Sequence, residues 1–403
     1  MTSPKLHIAI PAIQELEYLH FTLQDIAKQD FKGDFSVTIC VNQPDEWWDD
    51  PDKVALCESN LQLIQYLEQF ELFPITILDH SSKGKGWIGK KHGVGQARKT
   101  LFDSILKKAD SEDILISLDA DTRFGSCYFQ SILERFTQNE VSVISVPYYH
   151  QLTDDDRANR AILRYELYMR NYMLNMYEIR SPYNFTAVGS AIACRIGALQ
   201  KIGGITPMKS GEDFYLLQKF RKMGFVSNFN TEPVYPATRF SSRVYFGTGP
   251  AMIKGDTGDW NSYPIYHHSL FQQIRETYDL IPELYLKDLK TPFLTFLEEQ
   301  YQESDLWTPL RKNFKTLPLF ERGFHEKADG LRILQYLKAT NQVVGFDDSA
   351  SFWYNFSHFF PTVEVEFAKD RPQLEALKTE ELAILRDLFF QKEMELRFSE
   401  KNG

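Results

Sequence analysis

Short apolar runs alternate with amphipathic stretches through the first half of the chain. The runs rich in β-branched and aliphatic residues cover 6–12, 35–42, 73–80, 113–118 and 141–149. Helix-like periodicity separates them, from Glu15 to Gln29, over 47–70, and in a stretch that ends near Lys108. Strands that alternate with helices predict an α/β fold with a three-layer, mixed but mostly parallel sheet.

The pattern changes near residue 262. Beyond it the strand alternation stops and helical periodicity dominates, for example over 282–301 and 371–398. We therefore predict two domains, a ligand-binding α/β domain over 1–262 and a helical C-terminal extension over 263–403. Pairing of subunits through this extension stays open.

Charge and composition narrow the classes of function. The formal net charge of −10 disfavours a nucleic-acid partner, because a phosphate backbone demands a basic face. No basic leader opens the chain, and no run approaches the ~18 apolar residues of a membrane span. We expect a cytoplasmic protein. Peripheral membrane contact through the aromatic segment 350–367 is open, although that segment lacks a basic face and is more typical of a buried core.

The segment "LISLDADTRF" places two aspartates directly after the fourth apolar run. In an extended chain Asp119 and Asp121 point to one side, where they could hold Mg²⁺ or Mn²⁺ together with the phosphates of a ligand. Ligands of parallel sheets bind beyond the carboxyl ends of the strands, which is where this pair lies. An isolated D-x-D is more often an acidic turn, so the position after a strand matters.

A basic, glycine-rich stretch, "HSSKGKGWIGKKHGVGQAR", covers residues 80–98. In an acidic protein it is a local reversal of charge, and Lys83, Lys85 and Arg98 could neutralise a diphosphate that the glycines allow to approach. Lys90 and Lys91 add to this charge. A solvated flexible loop is the alternative.

A second acidic site opens the amphipathic stretch after Gly211. Glu212 and Asp213 suit the first turn of a helix, and a carboxylate there could also act as a general base on an acceptor hydroxyl. Gly189 lies in a run of small residues that would let the chain pass close under a ligand. Whether one of the adjacent His267 and His268 completes a metal site is open.

In their order and spacing, these segments resemble the family 2 glycosyltransferases over roughly residues 6–250. The segments that carry the resemblance are "IPAIQELEYL", "VGQARKTLFD", "LISLDADT", "VGSAIACRIGALQKIGGI", "GEDFYLL" and "TRFSSRVYFGTG". Gln14 stands where the family usually has asparagine. The processive Q-x-x-R-W signature is missing, which disfavours a synthase of long polymers.

The resemblance implies a glycosyltransferase A-type fold and an inverting transfer of a sugar from a UDP- or GDP-sugar to a glycan, lipid-linked or small-molecule acceptor. It implies Asp121 as the main ligand of Mn²⁺ or Mg²⁺, with Asp119 nearby, and Asp213 as the catalytic base, supported by Glu212. The nucleotide-sugar would be bordered by Pro11, Ala12, Glu15, Asn42, Lys83, Lys85, Arg98, Asp119 and Gly189.

Two other classes of function remain open at this point. A protein of the same fold could bind a sugar nucleotide or a partner without turnover, in which case it would not need the Asp213 carboxylate. A nucleotidyltransferase would share the metal and diphosphate chemistry. It would also want a basic glycine-rich loop straight after the first strand, where this chain has "PAIQELEY".

Overall fold

A computed structural model describes residues 3–89, 92–137, 141–208, 211–242 and 247–402. The chain forms two compact units that we call the sheet unit and the helical unit. The sheet unit comprises residues 1–162, 185–257 and 394–403, and the helical unit comprises 163–184 and 258–393. The predicted division at residue 262 into two functional domains stays a prediction.

The sheet unit is built on a six-stranded, mostly parallel sheet. The strands within the described residues are β1 Leu6–Ala12, β2 Phe35–Asn42, β3 Ile75–His80, β4 Ile114–Ser117, β5 Arg123–Phe124, β6 Val143–Ser145, β7 Ile192–Arg195 and β8 Val234–Tyr235. The order in the main sheet is β3-β2-β1-β4-β7-β6, and β5 pairs with β8. The first four strands pair in parallel, whereas β7 runs antiparallel to β4 and β6. This confirms the predicted α/β fold with a mixed, mostly parallel sheet.

Helices follow most of these strands. Up to residue 257 they are α1 Leu16–Ala27, α2 Val54–Glu68, α3 Val94–Leu106, α4 Tyr128–Thr137, α5 Asp156–Glu178, α6 Ile196–Lys201, α7 Glu212–Met223 and α8 Thr248–Asp256, with a 3-10 helix at Asp45–Asp49. The central strands are mostly apolar because both faces of the sheet are covered, and Ile8, Ile39 and Ile116 are fully buried.

Two predicted elements are shorter in the structure than the sequence pattern indicates. The predicted helix over 47–70 is regular only from Val54, because a 3-10 helix and a turn containing Pro51 precede it. The predicted strand over 141–149 is limited to β6, and Pro147 lies just beyond that strand and has no N–H to donate to a ladder.

The helical unit confirms the predicted helical C-terminal region. Its helices are α9 His268–Asp279, α10 Ile281–Leu284, α11 Pro292–Tyr301, α12 Trp307–Asn313, α13 Leu317–Lys327, α14 Gly330–Val344, α15 Asp348–Phe359 and α16 Thr379–Asn402, with 3-10 helices at Glu366–Ala368 and Leu374–Ala376. The helices α5 and α16 contribute residues to both units. The aromatic segment 350–367 places Phe352, Trp353 and Phe356 in the core, as its composition indicates.

None of the helices in the described part of the chain combines the length and the apolar character needed to cross a membrane.

Candidate functional site

The aspartate pair lies in a turn directly after β4. The N–H of Thr122 donates to the carbonyl of Asp119 at 3.2 Å, and the hydroxyl of Thr22 on α1 is within 2.9 and 3.0 Å of the carbonyls of Ala120 and Thr122. The prediction of an extended segment is therefore wrong here, because the buried threonine bends the chain after Leu118. The two aspartates are held by different arginines.

Arg98 on α3 joins the aspartate turn to the second acidic site. Its guanidinium is buried, with 5% of the side chain exposed, and it donates to Oδ1 of Asp119 and to Oε1 of Glu212. From the sequence we predicted only that Arg98 binds the diphosphate. In the structure it also links two carboxylates that lie 93 positions apart in the chain.

Gly189 leaves the space that the Arg98 guanidinium occupies between Asp119 and Glu212. A Cβ atom at residue 189 would lie 2.1 Å from Nη2 of Arg98. The absence of a side chain therefore makes room for the arginine, which is a more specific reason than the close passage under a ligand that the sequence indicated. Gly189 therefore lies next to Arg98, which is itself part of the site.

Glu212 and Asp213 open α7, as the sequence predicts. Gly211 precedes them with a positive φ of 78°, which sets the direction of the helix start. Glu212 is buried and bound to Arg98. Asp213 accepts a hydrogen bond from the N–H of Phe214 at 2.8 Å. Burial, and then the charge of Glu212, raise the pKa of Asp213 to about 7.

Arg239 is the functional residue that the sequence analysis missed. Its Nε donates to Oδ2 of Asp121 at 2.9 Å, and its Nη2 lies 2.9 and 2.8 Å from the two carboxylate oxygens of Glu15. The guanidinium also stacks over the ring of Tyr18, 3.9 Å from its centroid. Burial alone would lower its pKa, but the charges of Asp121 and Glu15 raise it.

A signal for Arg239 was present in the sequence. It belongs to the segment "TRFSSRVYFGTG" (238–249), which contributed to the family resemblance without a role for any residue. Residues 243–246 of that segment lie outside the described residues.

The site carries more acids than bases. The two arginines face five carboxylates, which leaves a formal excess of three negative charges when all of them are ionised. The five are Glu15, Asp119, Asp121, Glu212 and Asp213. The side chains of Asp119 and Asp121 are 36% and 17% exposed, so their oxygens can be reached from solvent. Oxygen donors in a field of negative charge suit Mg²⁺ or Mn²⁺.

The lysines of the basic loop have acidic partners of their own. Nζ of Lys85 donates to Oδ2 of Asp79 at 2.8 Å, and Nζ of Lys83 lies 3.7 Å from Asp49. Oδ1 of Asp45 accepts from the N–H groups of Gly84 and Gly86, which fixes this loop beside the end of β2. Lys90 and Lys91 lie outside the described residues. Binding of a diphosphate by Lys83 and Lys85 stays a prediction.

The ends of β1 and β2 are joined by side-chain amides. Nδ2 of the buried Asn42 donates to the carbonyl of Ala12 at 3.0 Å. Asn60 on α2 accepts from the N–H of Gln14 and donates to Gln43. Gln14 has a φ of 56°, which is a left-handed conformation that asparagine adopts more often than glutamine. This conformation is consistent with the asparagine that the family 2 glycosyltransferases usually have at this position. Pro11, like Ala12, lies in β1, so both border this end of the sheet.

Comparison with known proteins identifies the region that contains the site. A family model described as "Glycosyl transferase family group 2" matches residues 114–254, from β4 to α8. This range includes the aspartate turn, the acidic start of α7 and Arg239. No curated protein matches the chain.

Several solved structures are similar to the chain at low sequence identity. TarS 1–349 of S. aureus in complex with UDP-GlcNAc has 15% identity and a TM-score of 0.42, covering 85% of this chain and 92% of that one. Mannosyltransferase PcManGT from Pyrobaculum calidifontis, in complex with GDP-Man and Mn²⁺, has 12% identity and a TM-score of 0.38, covering 100% and 89%. The family model covers residues 114–254, and over this range the chain is similar to the glycosyltransferases of family group 2.

Proposed function

We propose that the protein is a glycosyltransferase that carries out an inverting, metal-dependent transfer of a sugar from a UDP- or GDP-sugar to an acceptor hydroxyl, in glycan or glycoconjugate synthesis. The observation that carries the proposal is the set of carboxylates at the aspartate turn and the start of α7. Two of them are open to solvent, and a third, Asp213, has its pKa raised to about 7.

Asp121 and Asp119 are the residues that would hold Mn²⁺ or Mg²⁺. Such an ion, when bound, acts as a Lewis acid toward the diphosphate leaving group. Two arginines lie beside these aspartates, close to where the negative charge of the diphosphate would be. Arg239 and Arg98 donate hydrogen bonds to the two aspartates, and both guanidiniums lie where they could turn to phosphate oxygens of a bound donor.

Asp213 is the general base of the proposal. A carboxylate with an ordinary pKa is a weak base, and the raised pKa of Asp213 makes it better able to take the proton of an acceptor hydroxyl near neutral pH. Glu212 contributes through its charge, which raises that pKa, and is itself held by Arg98. Attack on the anomeric carbon from the face opposite the diphosphate would invert its configuration.

The nucleotide would lie beyond the ends of β1 and β2, bordered by Pro11, Ala12, Glu15 and Asn42. In the structure Glu15 is bound to Arg239, and Asn42 to the carbonyl of Ala12. These contacts hold the two side chains at the ends of β1 and β2. Lys83 and Lys85 of the basic loop would offset the remaining charge of the diphosphate.

A binding protein without turnover is the alternative, and the raised pKa of Asp213 favours the enzyme. Binding of a nucleotide-sugar requires no proton acceptor, whereas a carboxylate poised near neutral pH is typical of a general base. A nucleotidyltransferase is less favoured, because the loop after β1 is neither glycine-rich nor basic.

A comparison of wild type with Asp213→Asn tests the proposal. Each is incubated with Mn²⁺ and a panel of UDP- and GDP-sugars, and nucleotide release and donor binding are measured in parallel. We expect wild type to release nucleotide from at least one donor, and Asp213→Asn to bind that donor with similar affinity while turnover falls by about 10²–10⁴-fold. NMR of the product anomer should show inversion.

Two results would contradict the proposal. Donor binding by wild type without turnover of any donor, in the presence of candidate acceptors, would favour the binding protein. Equal turnover by wild type and Asp213→Asn would remove Asp213 as the base. Asp103→Asn, on the exposed side of α3, is the matched control.

A further inference from the structure

The helical unit carries a second cluster of metal-ligating side chains. Glu178 is the last residue of α5, His268 the first of α9, and His358 lies one residue before the end of α15. Nε2 of His358 is 2.9 Å from both carboxylate oxygens of Glu178, and Nε2 of His268 is 3.8 Å from Oε1 of the same residue. One ligand atom from each side chain lies within 4.8 Å of the other two.

The surroundings of His268 fix which of its nitrogens faces the cluster. Its Nδ1 lies 2.7 Å from Oδ1 of Asn175. Nδ2 of Asn175 donates to the carbonyl of Asn171 at 2.9 Å, which orients the amide and leaves Oδ1 to accept. The proton of His268 therefore resides on Nδ1, and Nε2 presents its lone pair. Gln272 supplies a donor to that nitrogen at 2.9 Å, as a lone pair requires.

The hydrogen bonds of this cluster bring three metal-ligating side chains together. His358 and Glu178 form a hydrogen-bonded pair that needs no other group. The lone pair of His268 Nε2, which accepts from the Gln272 amide, lies 3.8 Å from an oxygen of the same carboxylate, so a cation that replaced this amide hydrogen would contact both ligand atoms. Two electron-pair donors that face each other in this way are typical of a site that a cation completes.

We propose that the helical unit binds one divalent transition-metal ion of the Zn²⁺ class through Glu178, His268 and His358. Two imidazoles and a carboxylate form a donor set that Zn²⁺ favours, with a fourth position left for water or the Gln272 amide. The oxygen-only pair Asp119 and Asp121 suits Mg²⁺ or Mn²⁺ instead, so the two sites differ in the metal they select.

The hydrogen bond of His268 and the exposure of Glu178 and His358 support the site. The hydrogen bond from His268 Nδ1 to Asn175 is the outer-sphere contact that orients a metal-binding imidazole. The side chains of Glu178 and His358 are 33% and 39% exposed, which gives an ion a path from solvent, whereas His268 is buried and fixed. The ion would hold together the ends of α5, α9 and α15.

Zinc binding by the full chain tests this proposal. The protein is stripped with a chelator, titrated with Zn²⁺ against a chromophoric competitor, and analysed for bound zinc by mass spectrometry. We expect one Zn²⁺ per chain in wild type, and an affinity lower by at least about 100-fold in His358→Ala. Titration with Co²⁺ should give visible bands of a four- or five-coordinate site in wild type, and these bands should be lost in the variant.

Three further variants make the result specific. Glu178→Gln should lose affinity like His358→Ala and serves if the latter fails to fold. His20→Ala, a histidine of α1 in the sheet unit, and Asp121→Asn should both keep the wild-type stoichiometry and affinity. Less than a tenth of an equivalent of zinc in wild type, equal affinity in His358→Ala and His20→Ala, or loss of zinc in Asp121→Asn would each overturn the proposal. None of these readouts depends on sugar transfer.

Discussion

Two arginine–carboxylate clusters among the described residues have the same kind of hydrogen bonds but differ in their exposure to solvent. In the helical unit Arg170 donates to Glu166 at 2.7 and 2.9 Å and to Glu393 at 2.7 Å, and all three side chains are at most 2% exposed. In the sheet unit Arg98 and Arg239 bridge carboxylates in the same way, but two of those acids, Asp119 and Asp121, are open to solvent.

The two clusters differ in whether solvent can reach their carboxylate oxygens. A fully buried cluster is closed, because no ion or ligand can reach its oxygens and either partner alone would be left uncompensated. The open cluster has an excess of acid, exposed oxygen lone pairs and one carboxylate, Asp213, with a raised pKa. In such a cluster a carboxylate can exchange its arginine for a metal cation, and an arginine can exchange its carboxylate for a phosphate.

The largest expected effect is on the closed cluster. Arg170→Met should lower the free energy of unfolding by about 3–5 kcal/mol, because it removes the buried cation that joins Glu166 to Glu393 and leaves Glu166 with only the more distant Arg386, at 3.7 Å. Urea-induced unfolding followed by circular dichroism measures this loss. Arg157→Met, which removes a pair with Asp256 whose arginine is exposed, is the control and should unfold like wild type. Equal stability of the two variants would contradict the distinction between the clusters.

Gly189→Ala should disturb the open cluster through Arg98. The added methyl group would displace the guanidinium that joins Asp119 to Glu212, at a cost in stability of about 1–3 kcal/mol. We also expect a lower kcat/KM for donor turnover, because Asp119 and Glu212 lose their shared partner. Gly224→Ala is the control, since a Cβ there meets no atom within 4 Å. Unchanged kinetics in Gly189→Ala would show that Arg98 does not position the acids.

The smallest expected effect is a gain in stability from Asp213→Asn. Because the pKa of Asp213 is raised from 3.8 to about 7, its ionisation at high pH disfavours the folded state, and the stability that its proton provides at low pH is lost as the pH rises through 7. Asparagine does not ionise. The variant should therefore be more stable than wild type by about 1–2 kcal/mol at pH 8, with a smaller gap toward pH 4.

Thermal unfolding of both proteins across this pH range measures the gap. A constant difference from pH 4 to pH 8, or a less stable variant at pH 8, would contradict the raised pKa. Asp103→Asn again serves as the control.

The strands and the acidic motifs could be predicted because they depend on local pattern. Apolar runs marked the first four strands of the main sheet to within a few residues, and the acids of the aspartate turn and of α7 follow recognisable segments. The prediction of an extended segment at the two aspartates was wrong, because a tertiary contact there overrides the local pattern. Thr22 bends the chain at Asp119–Asp121, and this hydrogen bond connects residues about 100 positions apart.

The partners of the acids could not be predicted for the same reason. Arg239 reaches Asp121 across 118 positions and Glu15 across 224, and no periodicity along the chain links them. The ladder of β7, antiparallel to β4, likewise depends on tertiary pairing rather than on local pattern. The triad of Glu178, His268 and His358 is assembled from three helices, and only the neighbouring histidines hinted at it.

The most direct test of the central claim is a titration of Mn²⁺ in the presence of UDP or GDP, with free Mn²⁺ followed by electron paramagnetic resonance. We predict that wild type binds Mn²⁺ with at least one of the nucleotides, that Asp121→Ala loses this binding, and that His358→Ala retains it. Equal binding of Mn²⁺ and nucleotide by wild type and Asp121→Ala would contradict the claim that the aspartate turn holds the metal of the donor.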